Sequence, residues 1–371
     1  MNAPTNTTLM DEAVIGWDVG GAHLKAAQIE RDGDVSAVWL EPCPLWRGLD
    51  HLREALDRIE SARSASGFGP AHHAITMTGE LVDLFETRHA GVQALVNFLD
   101  QRFGAGRVHF YAGAHGWLDA PQACGQTAQV ASANWHATAH RVSTCFGDAL
   151  LVDIGSTTTD LVLIRNGKVA SQSGSDSDRL SAGELVYTGV ARTPVMAMAN
   201  EAPVAGRFTP LMAEYFATSS DIYRILGLLP EKADLHASAD GSAKTAEASQ
   251  MRLARMVGRD AQELPGKAWT ELAYWFADAQ MAQIVRAVRQ VLSRESLPVS
   301  APLVVAGVGG FLGARLAVRL ERPVINFSQM LNSRGHRDMV DWCAPAVAVG
   351  QLLAAHGCAP DTRVPETTPC E

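Results

Sequence analysis

Two segments of this chain place an aspartate, then glycine and small residues, at the end of an apolar run. The first is VIGWDVGGAHLKAAQIERDGDV, residues 14–35, and the second is VDIGSTTTDLVLIRNGKV, residues 152–169. Superposition of Asp18 on Asp153 aligns Gly20 with Gly155. Each segment predicts a strand, a turn and a second strand, and the pair predicts a duplicated domain.

Phosphate is the ligand that these two turns predict. Glycine and small hydroxyl residues let backbone N–H groups approach an anion without obstruction by Cβ atoms. A carboxylate beside a phosphate needs a divalent cation between them, so Asp18 and Asp153 are predicted to be catalytic residues that bind Mg²⁺. A single D-x-G turn is also a common hairpin corner, and only the pair favours a ligand site. The predicted phosphate-binding residues of the turns are Gly20, Gly21, Gly155, Ser156, Thr157 and Thr158, with Thr159 beside them.

A third glycine-rich motif, VVAGVGGFLGARLA, occupies residues 304–317. Its apolar run predicts a buried strand, and Leu312–Leu320 has helical periodicity. Gly307, Gly309 and Gly310 form the turn between them, which predicts either phosphate binding or close packing.

The order of the three motifs resembles the superfamily of actin, sugar kinases and heat-shock chaperones. The resemblance implies a two-domain α/β fold of the actin/hexokinase (ribonuclease H-like) type, with mixed sheets and a ligand in the interdomain cleft. It also implies that Lys25, seven residues after Asp18, contacts phosphate. His23 stands where hydantoinase-type relatives often carry a hydroxyl that meets phosphate.

A narrower resemblance covers about Val14 to His356. GELVYTGVARTPV, residues 183–195, and DIYRILGLLPE, residues 221–231, look like the hydantoinase and oxoprolinase branch. Together with TMTGELVDLF, residues 76–85, and ASANWHATA, residues 131–139, they look like proteins of tetrahydromethanopterin-linked one-carbon transfer. That group includes an archaeal synthase of methanofuran biosynthesis, which joins a furanylmethyl diphosphate to the phenol of a tyramine derivative.

The resemblance therefore implies a diphosphate-releasing transferase whose partners are a small-molecule diphosphate and a phenolic amine acceptor. An alternative is an ATP-dependent kinase or an amide-activating enzyme, since both chemistries need the same anion cradle. A third reading is a nucleotide-driven assembly protein like actin, which the sequence disfavours because it contains no recognisable peptide-binding domain or filament insert.

Other polar residues are candidates for the same site. Glu80 follows a predicted buried strand, where a carboxylate binds metal, acts as a base or caps a helix. Asn134, Tyr187 and Arg192 are predicted substrate contacts. The alternative for Asn134 is a residue of a domain interface, and that for Arg192 is a surface ion pair. His136 and His140 lie four residues apart, and we expect a hydrogen-bonded pair rather than a metal site because no third ligand is near.

Composition excludes several classes of function. The chain has 371 residues, a net charge of −9 and a pI near 5.7, which disfavours nucleic acid or an anionic membrane as a partner. No apolar run approaches the roughly 18 residues of a membrane span, and residues 1–12 lack the pattern of a signal peptide. We expect a cytoplasmic enzyme. The oligomeric state is not predicted.

Periodicity predicts the organisation of the chain. Strands are predicted within 14–40 and at 73–78, 108–112 and 149–154, and helices at 48–64, 90–103, 126–140, 206–229, 269–292 and 344–356. The first domain is predicted over 13–146 with 340–358, the second over 147–338, and flexible tails over 1–12 and 359–371. Residues 231–262 are predicted to form helices that cross the edge of the cleft, a cap over it, or a solvated excursion without function.

Overall fold

The computed structural model of the protein describes residues 12–171, 174–335 and 337–358. The predicted tails therefore lie outside the described residues, apart from Glu12. The strands are β1 (Ala13–Val19), β2 (His23–Ile29), β3 (Val35–Pro42), β4 (Ala71–Met77), β5 (Val108–Tyr111), β6 (Trp117–Leu118), β7 (Ala149–Ile154), β8 (Thr159–Arg165), β9 (Lys168–Val169), β10 (Leu185–Val186), β11 (Glu201–Val204), β12 (Arg207–Pro210), β13 (Leu303–Ala306) and β14 (Val324–Asn326).

The α-helices lie between and after these strands along the chain. They are α1 (Leu49–Ala65), α2 (Arg88–Phe103), α3 (Ala120–Gly125), α4 (Thr127–Val130), α5 (Asn134–Ser143), α6 (Asp176–Ala182), α7 (Ser219–Ile225), α8 (Ala246–Met256), α9 (Gly266–Arg294), α10 (Gly313–Leu320), α11 (Arg337–Trp342) and α12 (Ala344–Cys358). Within the described ranges, no helix combines the length and the apolar character that crossing a membrane requires.

The two halves of the chain repeat one sheet arrangement. The first sheet has the order β3-β2-β1-β4-β5-β6, and the second has the order β10-β8-β7-β13-β14 with β9 also on β8. β1 is antiparallel to β2 and parallel to β4, and β7 is antiparallel to β8 and parallel to β13. The duplication and the actin/hexokinase-like fold with mixed sheets are therefore confirmed.

The turns of the two halves also match in detail. The N–H of Gly20 donates to the carbonyl of His23 over 3.0 Å, and the N–H of Gly155 donates to the carbonyl of Thr158 over 2.8 Å. Gly20 and His23 follow Asp18 at the same spacing as Gly155 and Thr158 follow Asp153. The sequence alignment of the two segments is thus a structural alignment.

Two helices form a layer between the sheets. α12 packs on β1, β2 and β4, α5 packs on β7 and β8, and the two helices contact each other. One buried cluster joins side chains from both sheets through this layer, including Val14, Ala27, Leu151, Val162 and Ala346. The predicted docking of the last helix onto the first half agrees with this packing, while the exact domain boundaries remain a prediction.

The close approach of α12 to β1 depends on two glycines. A Cβ atom on Gly16 would lie 2.0 Å from the carbonyl oxygen of Ala346 and 2.7 Å from the backbone nitrogen of Gly350. A Cβ on Gly350 would lie 2.7 Å from the side chain of Ile29. At Gly16 the close neighbours are backbone atoms of α12, which cannot yield as a flexible side chain does.

The helix predicted over 206–229 was wrong. The chain there forms the hairpin of β11 and β12, a loop and only the short helix α7. Ala205 and Gly206 have φ values of 48° and 79°, as the corner of a tight hairpin requires. β12, which lies inside the predicted range, pairs antiparallel with β11 from Arg207 to Pro210.

The helix predicted over 126–140 is broken into α4 and α5. Ser132 lies between them with a φ of 52°, which an α-helix does not accommodate. Its hydroxyl donates to Glu80 over 2.9 Å. The break therefore places a polar side chain where an unbroken helix would continue.

Substitution Gly16→Ala tests the contact between α12 and β1. We expect the free energy of unfolding to fall by about 3 kcal/mol, because the added methyl overlaps the backbone of α12. Urea unfolding followed by circular dichroism measures the change. Gly69→Ala is the matched control, since a Cβ there has no neighbouring atom within 4 Å. Equal stabilities of the two variants would contradict this account of the contact.

Candidate active site

A cavity of about 580 Å³ lies between the two halves at the paired turns. Twelve of the predicted site residues line it, and they come from both halves of the chain. They are Asp18, Gly20, Gly21, Lys25, Asn134, Asp153, Gly155, Ser156, Thr157, Thr158, Tyr187 and Arg192. Glu80, Gly307, Gly309 and Gly310 are not among the residues that line this cavity.

Carbonyl groups of both turns accept hydrogen bonds from the N–H groups of neighbouring backbone segments. The carbonyls of Gly21 and Ala22 accept from Leu45 and Cys43 over 3.0 and 2.9 Å, and that of Ser156 accepts from the following segment at Ala191 over 3.0 Å. In a trans peptide the N–H points opposite to the carbonyl. The N–H groups after these carbonyls therefore point away from those contacts, as an anion-binding turn requires.

Asp18 and Lys25 form an ion pair at the centre of the cleft. The register of β1 and β2 places the two residues opposite each other, and Lys25 Nζ lies 3.1 Å from Asp18 Oδ2. Burial alone would lower the pKa of Lys25, but the carboxylates of Asp18 and Asp153 outweigh burial and raise it. Lys25 thus carries a full positive charge beside the first turn.

Asp153 faces this pair from the second half. Burial raises the pKa of Asp153 to about 7, against the opposing effect of the Lys25 charge and together with the charge of Asp160. Asp160 is opposite Asp153 in the register of β7 and β8, as Lys25 is opposite Asp18. Burial also raises the pKa of Asp160, although Arg179 donates to it over 2.8 Å.

The two aspartates fit a magnesium ion. Oδ1 of Asp18 is buried and has no hydrogen-bond partner among the described residues. Mg²⁺ binds oxygen ligands and is typically held by one or two carboxylates together with substrate phosphates and water. Within the described ranges no group of three or more His, Cys, Asp or Glu side chains forms a complete metal site. Asp18 and Asp153 would therefore need the phosphate of a substrate to complete the coordination.

Glu80 lies behind the wall of the cavity. It is 1% exposed, its Oε1 accepts from Ser132, and its Oε2 has no partner among the described residues. Burial raises the pKa of Glu80 to about 7, although the Ser132 hydrogen bond acts in the opposite direction. Ser132 itself lines the cavity, so this hydroxyl connects Glu80 to the cleft.

The glycines of the third motif pack against the end of β7. A Cβ on Gly307 would lie 2.5 Å from Asp153 Oδ1, and the N–H of Gly309 donates to the carbonyl of Ile154 over 2.8 Å. Beside them, the ring of Phe311 meets that of Tyr223 edge-on at 5.1 Å. This geometry favours the close-packing alternative, while a phosphate role for the three glycines remains a prediction.

The three predicted substrate residues all line the cavity. Asn134 begins α5, and its side chain accepts from the N–H of Trp135 over 2.8 Å. Tyr187 is 69% exposed, and the guanidinium of Arg192 lies 5.4 Å from the ring centre of Trp46. Both Tyr187 and Arg192 are therefore accessible to a ligand in the cavity.

The histidine pair on α5 is hydrogen-bonded, as expected. The hydroxyl of Tyr111 lies 2.8 Å from Nδ1 of His136 and 3.0 Å from Nδ1 of His140. Because both Nδ1 atoms already share this hydroxyl, the pair serves packing between α5 and the first sheet.

Sequence reasoning missed Asp160 and Arg179, which line the cleft, and His236, which contacts the lining residue His23. Asp160 follows Asp153 by the same spacing as Lys25 follows Asp18, so the repeat itself contains the signal for it. Arg179 lies 4.0 Å from the ring centre of Trp135 and is 1% exposed. His236 contacts His23, with the ring centres 4.8 Å apart. No local motif marks Arg179 or His236, since each reaches the cleft only through the tertiary fold.

Comparisons with known proteins identify related sequences and a similar fold. The hydantoinase/oxoprolinase family model matches residues 72–335. A (4-{4-[2-(gamma-L-glutamylamino)ethyl]phenoxymethyl}furan-2-yl)methanamine synthase of Methanocaldococcus jannaschii is 33% identical over 248 residues, which are 67% of this chain and 72% of that protein. A synthase of the same name from Methanococcus vannielii is 29% identical over 162 residues, which are 44% and 71% of the two chains.

A solved structure is similar in fold. Nucleotide-free acetone carboxylase has a TM-score of 0.56 at 12% identity, over 92% of this chain and 70% of that chain. At this identity the similarity concerns the fold alone.

Glu80→Gln should change how stability depends on pH. The unfolded chain ionises Glu80 near 4.5 and the folded chain near 7, so the folded protein binds the extra proton and loses stability as pH rises between these values. In the variant, the free energy of unfolding should decrease less over this pH range, by up to about 3 kcal/mol. Urea unfolding from pH 4.5 to 7.5 compares the variant with the parent. Parallel pH profiles of the two proteins would show that Glu80 titrates normally.

Proposed function

The chain belongs to the hydantoinase/oxoprolinase family, and from that premise we propose that it is a diphosphate-releasing transferase of methanofuran-type cofactor biosynthesis. The donor is a furanylmethyl diphosphate and the acceptor is the phenol of a glutamylated tyramine. The C–O bond to diphosphate breaks, a bond forms between the methylene carbon and the phenol oxygen, and the phenol loses its proton. The names of both relatives describe a phenoxymethyl furan, which contains this aryl ether.

The anion cradle is the observation that carries the proposal. Two turns with the same internal hydrogen bond face one cavity, and Lys25 contributes its charge between them. Such a cradle holds the diphosphate and keeps it in place as charge develops on the leaving oxygen. Lys25 and the hydroxyls of Ser156 and Thr157 are the side chains that we assign to this role.

Asp18 and Asp153 are assigned to the metal. Both carboxylates line the cavity, and the unpartnered Oδ1 of Asp18 is an available ligand atom. When bound, Mg²⁺ supplies positive charge that neutralises the departing diphosphate. A bound cation would favour the ionised form of Asp153, because its charge offsets the burial that otherwise favours the protonated form.

Glu80 is assigned as the acceptor of the phenol proton. Ser132 lines the cavity and donates its hydroxyl hydrogen to Glu80 Oε1, so a proton passes from the cleft to Glu80 through one hydroxyl. A carboxyl with a pKa near 7 accepts and releases protons at neutral pH. The buried position of Glu80 keeps this carboxylate away from the diphosphate.

Packing at the third motif favours the transferase over the ATP-dependent alternative. An adenosine held by this turn would need open space beside its glycines, and Gly307 and Gly309 lack that space, while Gly310 is less crowded. A Cβ on Gly309 would lie 2.4 Å from Ile154 and 2.8 Å from Val190. Phe311, which follows the turn, packs its ring edge-on against that of Tyr223, with the ring centres 5.1 Å apart. A condensing enzyme needs no purine pocket, so this packing is compatible with its reaction.

The reaction itself is tested with purified protein, the furanylmethyl diphosphate, γ-glutamyltyramine and Mg²⁺. We expect inorganic diphosphate and the aryl ether in equal amounts without ATP, measured by a coupled phosphate assay and mass spectrometry. Removal of Mg²⁺ with a chelator should abolish turnover. ADP formed in step with product would replace the proposal with the kinase or amide-activating alternative.

Asp153→Asn should lower kcat by at least about a hundredfold while leaving the melting temperature unchanged or raised. Activity should fall because the substitution removes a metal ligand. Stability should not fall, because burial opposes the ionisation of this carboxyl group and the amide carries no charge. Asp338→Asn, on the exposed face of α11, is the control. Wild-type activity in Asp153→Asn, or a large fall in its melting temperature, would refute the assignment.

A further inference from the structure

Four side chains from separated segments meet beside the first turn. The rings of His23 and His236 have centres 4.8 Å apart, and those of Trp46 and His236 have centres 5.6 Å apart. The guanidinium of Arg192 lies 5.4 Å from the ring centre of Trp46. We call His23, Trp46, Arg192 and His236 the mouth cluster. Its members come from both halves of the chain, and three of them, His23, Trp46 and Arg192, line the cavity.

The cluster contains two buried nitrogen atoms without partners. Nε2 of His23 and Nε2 of His236 are each inaccessible to solvent and make no hydrogen bond among the described residues. His23 is only 9% exposed. A buried polar atom without a partner is costly and uncommon in folded proteins, so two adjacent ones indicate a ligand.

The charges around the two histidines favour an anion. Burial lowers the pKa of both imidazoles, and the positive charge of Arg192 lowers both further. Lys25 acts on His23 in the same direction, while Asp234 and Lys244 have opposing effects on His236. Arginine and lysine thus dominate the charge at the cluster. His236 also hydrogen-bonds the backbone of Ala22, so its unpartnered Nε2 donates to an oxyanion only when the ring is protonated, and the negative charge of a bound anion favours that form.

The segment that carries His236 is firmly held. Arg252 is fully buried on α8 and donates to Asp240 over 3.1 Å and to the hydroxyl of Ser242 over 2.9 Å. Arg224 on α7 donates to Asp234, and Lys244 donates to the Asp234 carbonyl over 2.7 Å. Hydrogen bonds therefore hold residues 234–244 on both sides of His236. The role of the longer segment 231–262 stays a prediction.

We propose that the mouth cluster is a second anion subsite, in which the guanidinium of Arg192 and the rings of His23 and His236, each carrying a proton on Nε2 when the anion is bound, hold an oxyanion of a substrate. The inference rests on the proposed function for the identity of that substrate. Two oxyanions are available in the reaction, namely the outer phosphate of the diphosphate donor and the carboxylate of the acceptor's glutamyl group. Both present oxygen atoms to the same donors.

Calorimetric binding measurements distinguish the two sources without turnover. The probes are inorganic diphosphate with Mg²⁺, γ-glutamyltyramine, and tyramine, which lacks the carboxylate. The variants are His236→Gln and Arg192→Gln, and His115→Gln is the control because His115 is exposed and outside the cluster. Arg192→Gln guards against misfolding as an explanation, since this side chain is exposed.

The subsite predicts a loss of about tenfold or more in affinity for one probe in both variants. If the outer phosphate is bound, the affinity for diphosphate falls and both amines bind as before. If the carboxylate is bound, the affinity for γ-glutamyltyramine falls to that for tyramine, and diphosphate binds as before.

Unchanged affinities for all three probes in both variants would overturn the subsite, as would a parent protein that binds neither diphosphate nor γ-glutamyltyramine. The test is separable from the proposed function. A parent protein that binds a probe through the mouth cluster but forms no aryl ether would refute the reaction while leaving the subsite intact.

Discussion

The ion pair between Asp18 and Lys25 is the interaction on which the site depends. A buried carboxylate is unstable unless an opposite charge or a hydrogen bond compensates it, and here Lys25 compensates one oxygen while the other oxygen stays unpaired. The same lysine also acts on Asp153 across the cleft. One cation therefore supports carboxylates from both halves, and the arrangement holds positive charge and available oxygen atoms in one place.

The internal repeat shows at which position the two halves differ at this centre. Lys25 and Asp160 occupy equivalent positions opposite Asp18 and Asp153, so the same geometry carries a cation in one half and an acid in the other. Arg179, held under the ring of Trp135, compensates Asp160. The duplicated fold thus supplies two similar turns, and the substitution of a single paired position gives them different electrostatics.

Local patterns predicted the repeat, both aspartate turns and the long helices, because strand alternation and helical periodicity are properties of neighbouring residues. They failed at 206–229, where a two-residue turn outweighed helical character, and at Ser132, where a bond to Glu80 accompanies a break in the helix. His236 and Arg179 reach the cleft through contacts far apart in sequence, which periodicity does not encode. The sequence alone could have identified Asp160, because the repeat that aligns the two turns also aligns Asp160 with Lys25.

The central claim is that Asp18 and Asp153 bind one cation that joins them to a diphosphate. Electron paramagnetic resonance of Mn²⁺, added in place of Mg²⁺ with inorganic diphosphate, measures this directly. The account predicts one tightly bound Mn²⁺ per chain, with coupling to phosphorus, whose affinity falls by about tenfold or more in Asp18→Asn and equally clearly in Asp153→Asn. Wild-type Mn²⁺ affinity in either variant would contradict a cation shared between the two halves.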